Sequence, residues 1–192
     1  MPKVTLHQIA TFVKAEAPLI ILGFLAISAV AVALFLHDPN QSSPPTPPGT
    51  PWQNAVYAGA TSRQELEAKL GQPQKVEQYD NRLVYQYPSQ NQFLPHTVEI
   101  TQDTVTIIKE QVIGNEKGVL SDYQAKYGPA ETKLFGSHGT IAPGHFWGAA
   151  GLLIFANQFD GTIVEIWYFQ PTTLEIFQSQ NPQLKTKEPR RF

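Results

Sequence analysis

Two stretches of this chain follow the same plan. SRQELEAKLGQP (Ser62–Pro73) opens on a serine, runs through helix-forming residues and closes on glycine and then proline, and SDYQAKYGP (Ser121–Pro129) does the same. In the first, Ser62 and Glu65 stand three apart, the spacing of a capping box in which each satisfies the other's backbone amide. Leu66 and Leu70 then share one helical face. Gly71 suits the left-handed residue that ends a helix, and Pro73 stops any continuation. In the second, Ser121 and Gln124 form the corresponding box, Tyr123 and Tyr127 the apolar face, and Gly128 and Pro129 the stop. Helices this short hold only when packed against something larger.

The packing partner follows each helix. After Pro73 come LVYQY (Leu83–Tyr87), TVEIT (Thr97–Thr101) and TVTIIKEQV (Thr104–Val112), the last two expected to form a hairpin about Gln102-Asp103. Val98, Ile100, Val105 and Ile107 fall on one side of that hairpin, the alternation of a half-buried antiparallel pair. After Pro129 come ETKLF (Glu131–Phe135), LLIFANQF (Leu152–Phe159) and TIVEIWYF (Thr162–Phe169), with Asp160-Gly161 as a hairpin signal. The expected fold is therefore α+β: two αβββ repeats, about 52–114 and 115–178, with antiparallel sheet packed on short helices.

Ahead of this domain the composition changes. Ala17–Leu36 is a run of 20 residues without a charge, and about 20 are needed to cross a bilayer as a helix. Lys3 and Lys14 precede it and no Lys or Arg follows until Arg63. The expectation is a cytoplasmic segment 1–16, a single-pass transmembrane helix 17–36 and an extracytoplasmic domain beyond, by the positive-inside rule. A cleaved signal peptide is the alternative, since Ala31-Val32-Ala33 resembles a cleavage site; the length of the apolar run favours a retained anchor. Residues 37–51 hold Pro39, Pro44, Pro45, Pro47, Pro48 and Pro51, which reads as a semi-rigid spacer. The domain is expected to span 52–178, and 179–192, with Lys185, Lys187, Arg190 and Arg191, to be a disordered tail.

The residues Gly59–Tyr87, GATSRQELEAKLGQPQKVEQYDNRLVYQY, resemble the SmpA/OmlA group, to which the BamE lipoprotein of outer-membrane assembly belongs. The shared pattern is a glycine, a Thr or Ser capping a helix, Leu-Gly-x-Pro, then a strand with spaced aromatics; here Gly59, Thr61 or Ser62, Leu70-Gly71-Gln72-Pro73, and Tyr85 with Tyr87. A tandem of two such units is similar to the fold of the β-lactamase inhibitor protein. The resemblance implies a small non-catalytic domain that binds proteins or envelope components.

Chemistry in the residues is sparse. There is no cysteine, which excludes disulfides, thiolate metal sites and a cysteine nucleophile. A net charge of −2 gives no basic face for nucleic acid. No P-loop, Gly-x-Ser-x-Gly or His-Glu-x-x-His motif occurs, and no cofactor is expected. The best candidate site is FGSHGTIAPGHFWGAAG (Phe135–Gly151), read as a glycine-rich loop. It offers His138, His145, Phe146 and Trp147 as binding residues, the two aromatics as interface anchors. The two histidines, with Glu165 or Asp160, are also a candidate metal set, and Ser137 beside a histidine base a candidate nucleophile. A further reading has Phe146 and Trp147 folding back to cover the sheet. Glu165, between apolar neighbours, is expected to face solvent opposite Ala156.

Three functions remain open. The first is a membrane-anchored extracytoplasmic binding or scaffold domain for a protein partner of the cell envelope, acting through the open sheet face and the glycine-rich loop. The others are an envelope hydrolase or metal-dependent enzyme built on His138 and His145, and a self-associating structural protein.

Overall fold

The computed structural model describes residues 49–91 and 93–189. Helix α1 (Arg63–Leu70) precedes four strands: β1 (Lys75–Tyr79), β2 (Arg82–Tyr87), β3 (His96–Thr101) and β4 (Thr104–Gln111). Helix α2 (Leu120–Tyr127) precedes four more: β5 (Thr132–Leu134), β6 (Gly144–Trp147), β7 (Leu152–Ala156) and β8 (Ile163–Phe169). A third helix, α3 (Leu174–Gln180), follows. All eight strands form one antiparallel sheet in the order β1-β2-β3-β4-β8-β7-β6-β5.

This corrects the expected fold class. In place of two αβββ repeats there is a single eight-stranded sheet with three helices. Two strands escape the periodicity. β1 is KVEQY, an edge strand whose side chains are mostly exposed, so nothing in it alternates between apolar and polar. β6 is GHFW, a four-residue run inside the stretch read as a glycine-rich loop, and every residue of it is buried. The seam between β4 and β8 runs from Ile107↔Phe169 to Gln111↔Glu165. It forms because both strands carry apolar residues on both sides: Ile108 and Tyr168 point to one face, Ile107 and Phe169 to the other. A strand apolar on both sides needs cover on both sides.

Among the described residues no helix is long and apolar enough to cross a membrane, so none of them supplies the expected transmembrane helix. The stretch proposed for it, Ala17–Leu36, and most of the proline-rich segment 37–51 lie outside the described residues.

The first helix is built as its sequence implies. Glu65 N–H donates to Ser62 Oγ at 3.2 Å and Ser62 N–H to Glu65 Oε2 at 2.9 Å. The second differs. Its cap position is Val119, whose N–H donates to Asp122 Oδ2 at 2.9 Å, and Ser121 lies inside the first turn. The Ser121/Gln124 box is therefore not used. Gly71 and Gly128 end the two helices with φ of 80° each, and each N–H bonds back to the carbonyl four residues earlier, at 2.9 Å. Gln102 and Asp103 take positive φ, 49° and 63°, and close the β3–β4 hairpin in two residues. Between β7 and β8 the connection is longer than Asp160-Gly161 suggested: Asn157 N–H bonds to the Thr162 carbonyl at 2.8 Å across a wider turn.

The two faces of the sheet are covered unequally. The first carries α1 and α2, whose Leu66, Leu70, Tyr123 and Tyr127 pack on Tyr85, Val98, Ile108, Ile154, Ile166 and Tyr168 across both halves of the sheet. On the second face, Phe146, Phe155, Trp167 and Phe169 lie under Phe177 of α3 and under Leu184. Leu184 is held there by paired backbone bonds between Phe135 and Lys185, at 2.7 and 2.9 Å. Within 179–189, part of the segment expected to be a disordered tail, the chain thus contributes the end of α3 and a core leucine. That cover stops at the seam. On the second face of β2–β4, Val84, Gln86, Thr97, Ile107, Lys109 and Gln111 are all partly exposed.

Candidate binding face

The four residues singled out from the sequence are divided between the two faces. His145 pairs with Ile154 and lies on the helical face with Trp147; Phe146 pairs with Leu153 and lies on the second face. All three are buried. Trp147 Nε1 donates to the Gly128 carbonyl at 3.0 Å and so ties β6 to the end of α2. Phe146 stacks on Phe169 at 5.6 Å with the rings 7° from parallel. Burial, and then the Lys133 charge, push the His145 imidazole down to about 4. It is neutral at physiological pH and enclosed.

His138 is on the other side of the sheet. Its Nε2 lies 2.7 Å from Glu165 Oε2, and its ring packs on Phe155 at 4.9 Å. The two histidines are therefore not brought together, and among the described residues no three His, Asp or Glu side chains converge on a point where a metal ion would sit. Ser137 has no hydrogen bond to an imidazole among the described residues. Glu165 is buried rather than solvent-facing. A register shift after Phe155 sets Glu165 opposite Phe155 and leaves Ala156 opposite Ile163. Its second oxygen accepts from Gln111 Nε2 at 2.8 Å.

What the second face presents instead is a charged row on β2–β4. Glu99, only 7% exposed, receives Arg82 Nη1 on one oxygen and Lys109 Nζ on the other, each at 2.6 Å. The Lys109 ammonium lies 4.4 Å from the centre of the Trp167 ring, and Arg82 Cζ 5.7 Å from that of Tyr79. Both oxygens of this enclosed carboxylate are paired with cations, as the burial of a charged group requires. Arg82, whose side chain is 45% exposed, keeps its other donors toward solvent. Thr106 is the extra residue where β4 slips by one against β3, and its hydroxyl donates to the Glu99 carbonyl at 3.1 Å. The bulge turns Ile107 onto the second face beside Phe169.

Beside this row lies a groove of about 640 Å³. Its walls are the β1–β2 turn and α3, and its floor is Glu99, Thr101, Thr106 and Ile107. None of these residues stands out in the sequence. Arg82, Glu99 and Lys109 fall far apart along the chain and meet only through the register Arg82↔Thr101 and Thr97↔Lys109. Their signal in the sequence is three charges within strands that also carry alternating apolar residues. The helical face holds a separate pair: Tyr168 Oη donates to Glu110 Oε2 at 2.6 Å, and Lys117 reaches Glu110 at 3.0 Å. Burial and the neighbouring carboxylate raise the Tyr168 hydroxyl well above its ordinary value. The Tyr168–Glu110 bond ties β8 to β4 inside the core, and on its outer side Glu110 lines, with Lys117 and His96, a shallow pocket of about 350 Å³.

No protein-family profile matches the chain, and no curated protein matches it. Among solved structures, a DUF4309 family protein from Bacillus subtilis is 12% identical, with 64% of this chain and 87% of that one covered and a TM-score of 0.43. A cysteine-rich secretory protein from Staphylococcus aureus is 13% identical (67% and 49% covered, TM-score 0.41), and an extracellular protein containing a SCP domain from Bacillus anthracis is 15% identical (79% and 55% covered, TM-score 0.44). The chain spans about half the length of the latter two. The single eight-stranded sheet is not a tandem of small αβββ units, which corrects the resemblance. What Gly59–Tyr87 carries is a capped helix with a Gly-x-Pro stop, a device open to any fold. Neither the structure nor these likenesses shows a catalytic activity.

Proposed function

We propose that the domain is a non-catalytic recognition module that binds a protein partner through the uncovered half of its second sheet face. The observation that carries this reading is the unequal cover. The helical face is packed across β2–β4 and β6–β8, whereas α3 and the Leu184 segment cover only the β5–β8 half of the other. Val84 and Ile107 are left partly exposed beside a fixed charged row. Rigid strands presenting aliphatic side chains rimmed by ordered charges suit a partner that covers the former and reads the latter. Strands also hold such groups in place at little conformational cost on binding.

The reading includes a site of action outside the cytoplasm. It rests on the sequence alone, with Lys3 and Lys14 ahead of the apolar stretch Ala17–Leu36 as its membrane attachment. Thr97→Arg tests the face: it sets a bulky charge on a partly exposed strand position opposite Lys109, a like-charge pair that costs up to about 1 kcal/mol, and is expected to abolish co-purification of the partner from membranes. Unchanged co-purification would place the contact elsewhere. Protease protection of the domain in sealed spheroplasts would overturn the assigned side of the membrane.

A further inference from the structure

The groove between the β1–β2 turn and α3 adjoins the proposed protein-binding face, and its lining calls for a different ligand. We infer that it is a subsite for a neutral oligosaccharide. Three observations converge.

The first is charge. The groove is lined by one cation, Arg82, and two carboxylates, Glu99 and Asp80, and Lys109 bonds the other oxygen of Glu99. These cancel. An electroneutral groove offers no net attraction to a phosphate, a polyanion or a cationic peptide. The second is the kind of polar group exposed. Asn81, Gln170 and Gln180 line it with side-chain amides that have no partner among the described residues. An amide both donates and accepts, as a sugar hydroxyl does. The third is the arrangement around Arg82. Its guanidinium is pinned through Nη1 to Glu99 at 2.6 Å and lies 5.7 Å from the Tyr79 ring. The remaining edge is a pre-set fork of donors, matched to two adjacent hydroxyl oxygens. Tyr79 and Ile176, each about half exposed, supply apolar surface for the C–H face of a pyranose. The volume, about 640 Å³, falls within the range of small-ligand sites.

The test is calorimetric titration of the full chain, kept in solution with a detergent that contains no sugar. The probes are chitotetraose, cellotetraose, maltotetraose and, as an anionic control, tetragalacturonate. At least one neutral tetrasaccharide is expected to bind with a Kd below about 1 mM. Arg82→Ala is expected to weaken that binding at least about tenfold. Tyr79→Ala, at a half-exposed edge position where folding is not at stake, weakens it as well, and Lys126→Ala on the helical face leaves it unchanged. No binding of any neutral probe at about 5 mM, binding of tetragalacturonate alone, or equal binding to the Arg82 and Tyr79 variants would each overturn the assignment. The titration needs no protein partner, so it can fail while the partner contact at Thr97 stands, and the reverse.

Discussion

The wall of the groove depends on one aromatic side chain, and removing it is the sharpest structural test. Phe177 is 1% exposed and its ring lies 4.4 Å from Phe169, 5.2 Å from Phe146 and 6.4 Å from Trp167. Replacing such a buried Phe by Ala costs about 3–5 kcal/mol, the lost transfer energy plus the cavity left behind. α3 has seven residues, too few to persist as an isolated helix. With its anchor gone, the helix is expected to lift away rather than sit over a void. The cost then falls toward the lower end, about 3 kcal/mol, still a large part of the roughly 5–15 kcal/mol that a domain possesses. Urea unfolding of Phe177→Ala beside wild type gives the loss. Hydrogen exchange shows where it falls: amides of α3 are expected to lose protection while those of α1, on the opposite face, keep theirs. Ile176→Ala, one residue away and half exposed, serves as control and is expected to change stability by at most about 0.5 kcal/mol. A loss below about 1 kcal/mol for Phe177→Ala, with α3 still protected, would mean that the helix is held by something other than this cluster, and would refute the reasoning.

His145, held near 4 by burial, remains neutral while the unfolded chain takes up a proton near pH 6.5, so its contribution to stability is complete above that pH and declines as pH falls toward 4. Stability is expected to drop by up to about 1.4 kcal/mol per pH unit on its account, and a His145→Gln variant to show a shallower slope between pH 6.5 and 5. Gly151 has φ of 65° and a Cβ there would meet the Phe169 carbonyl oxygen at 2.1 Å, so Gly151→Ala should cost more than about 2 kcal/mol in thermal or urea unfolding. Glu99→Gln leaves two cations without their shared carboxylate; since Arg82 is half exposed and can turn to water, the expected loss is about 1–3 kcal/mol, read by urea unfolding and smaller at high salt, where the wild-type pairs are partly screened.

The legible parts of the fold were those that local chemistry determines. Ser62 and Glu65 cap α1 because three residues separate them, and Gly71 and Gly128 end their helices because few other residues accept that backbone. The strands β2, β3, β4, β5, β7 and β8 lie within the segments whose alternating or apolar residues mark them as strands. β1 is hidden because an edge strand buries little and so needs no pattern, and β6 because three residues between glycines carry no period. The assembly of eight strands into one sheet depends on β4 meeting β8, a contact across more than fifty residues that neither half specifies alone. The site was harder still. His145, Phe146 and Trp147 read as the contents of a loop because Gly144 and Gly148 flank them, yet those glycines let the backbone lie close to Leu153 and Phe155 at one end and to the Thr172 carbonyl at the other. Arg82, Glu99 and Lys109 acquire meaning only once the register is known, because a charge on a strand reads as a solvated one until its cross-strand partners are named.

The central claim is that the uncovered half of the sheet is where a partner sits. The most direct measurement is photocrosslinking in intact cells, with a photoreactive residue at Gln86 or Thr97 on that half and, for comparison, at Lys126 on the helical face. The expected result is one dominant protein adduct, shared by Gln86 and Thr97 and absent from Lys126. Adducts to further copies of the same chain would identify the face as a self-association surface. Adducts from Lys126 alone, or none from either strand position, would contradict the claim.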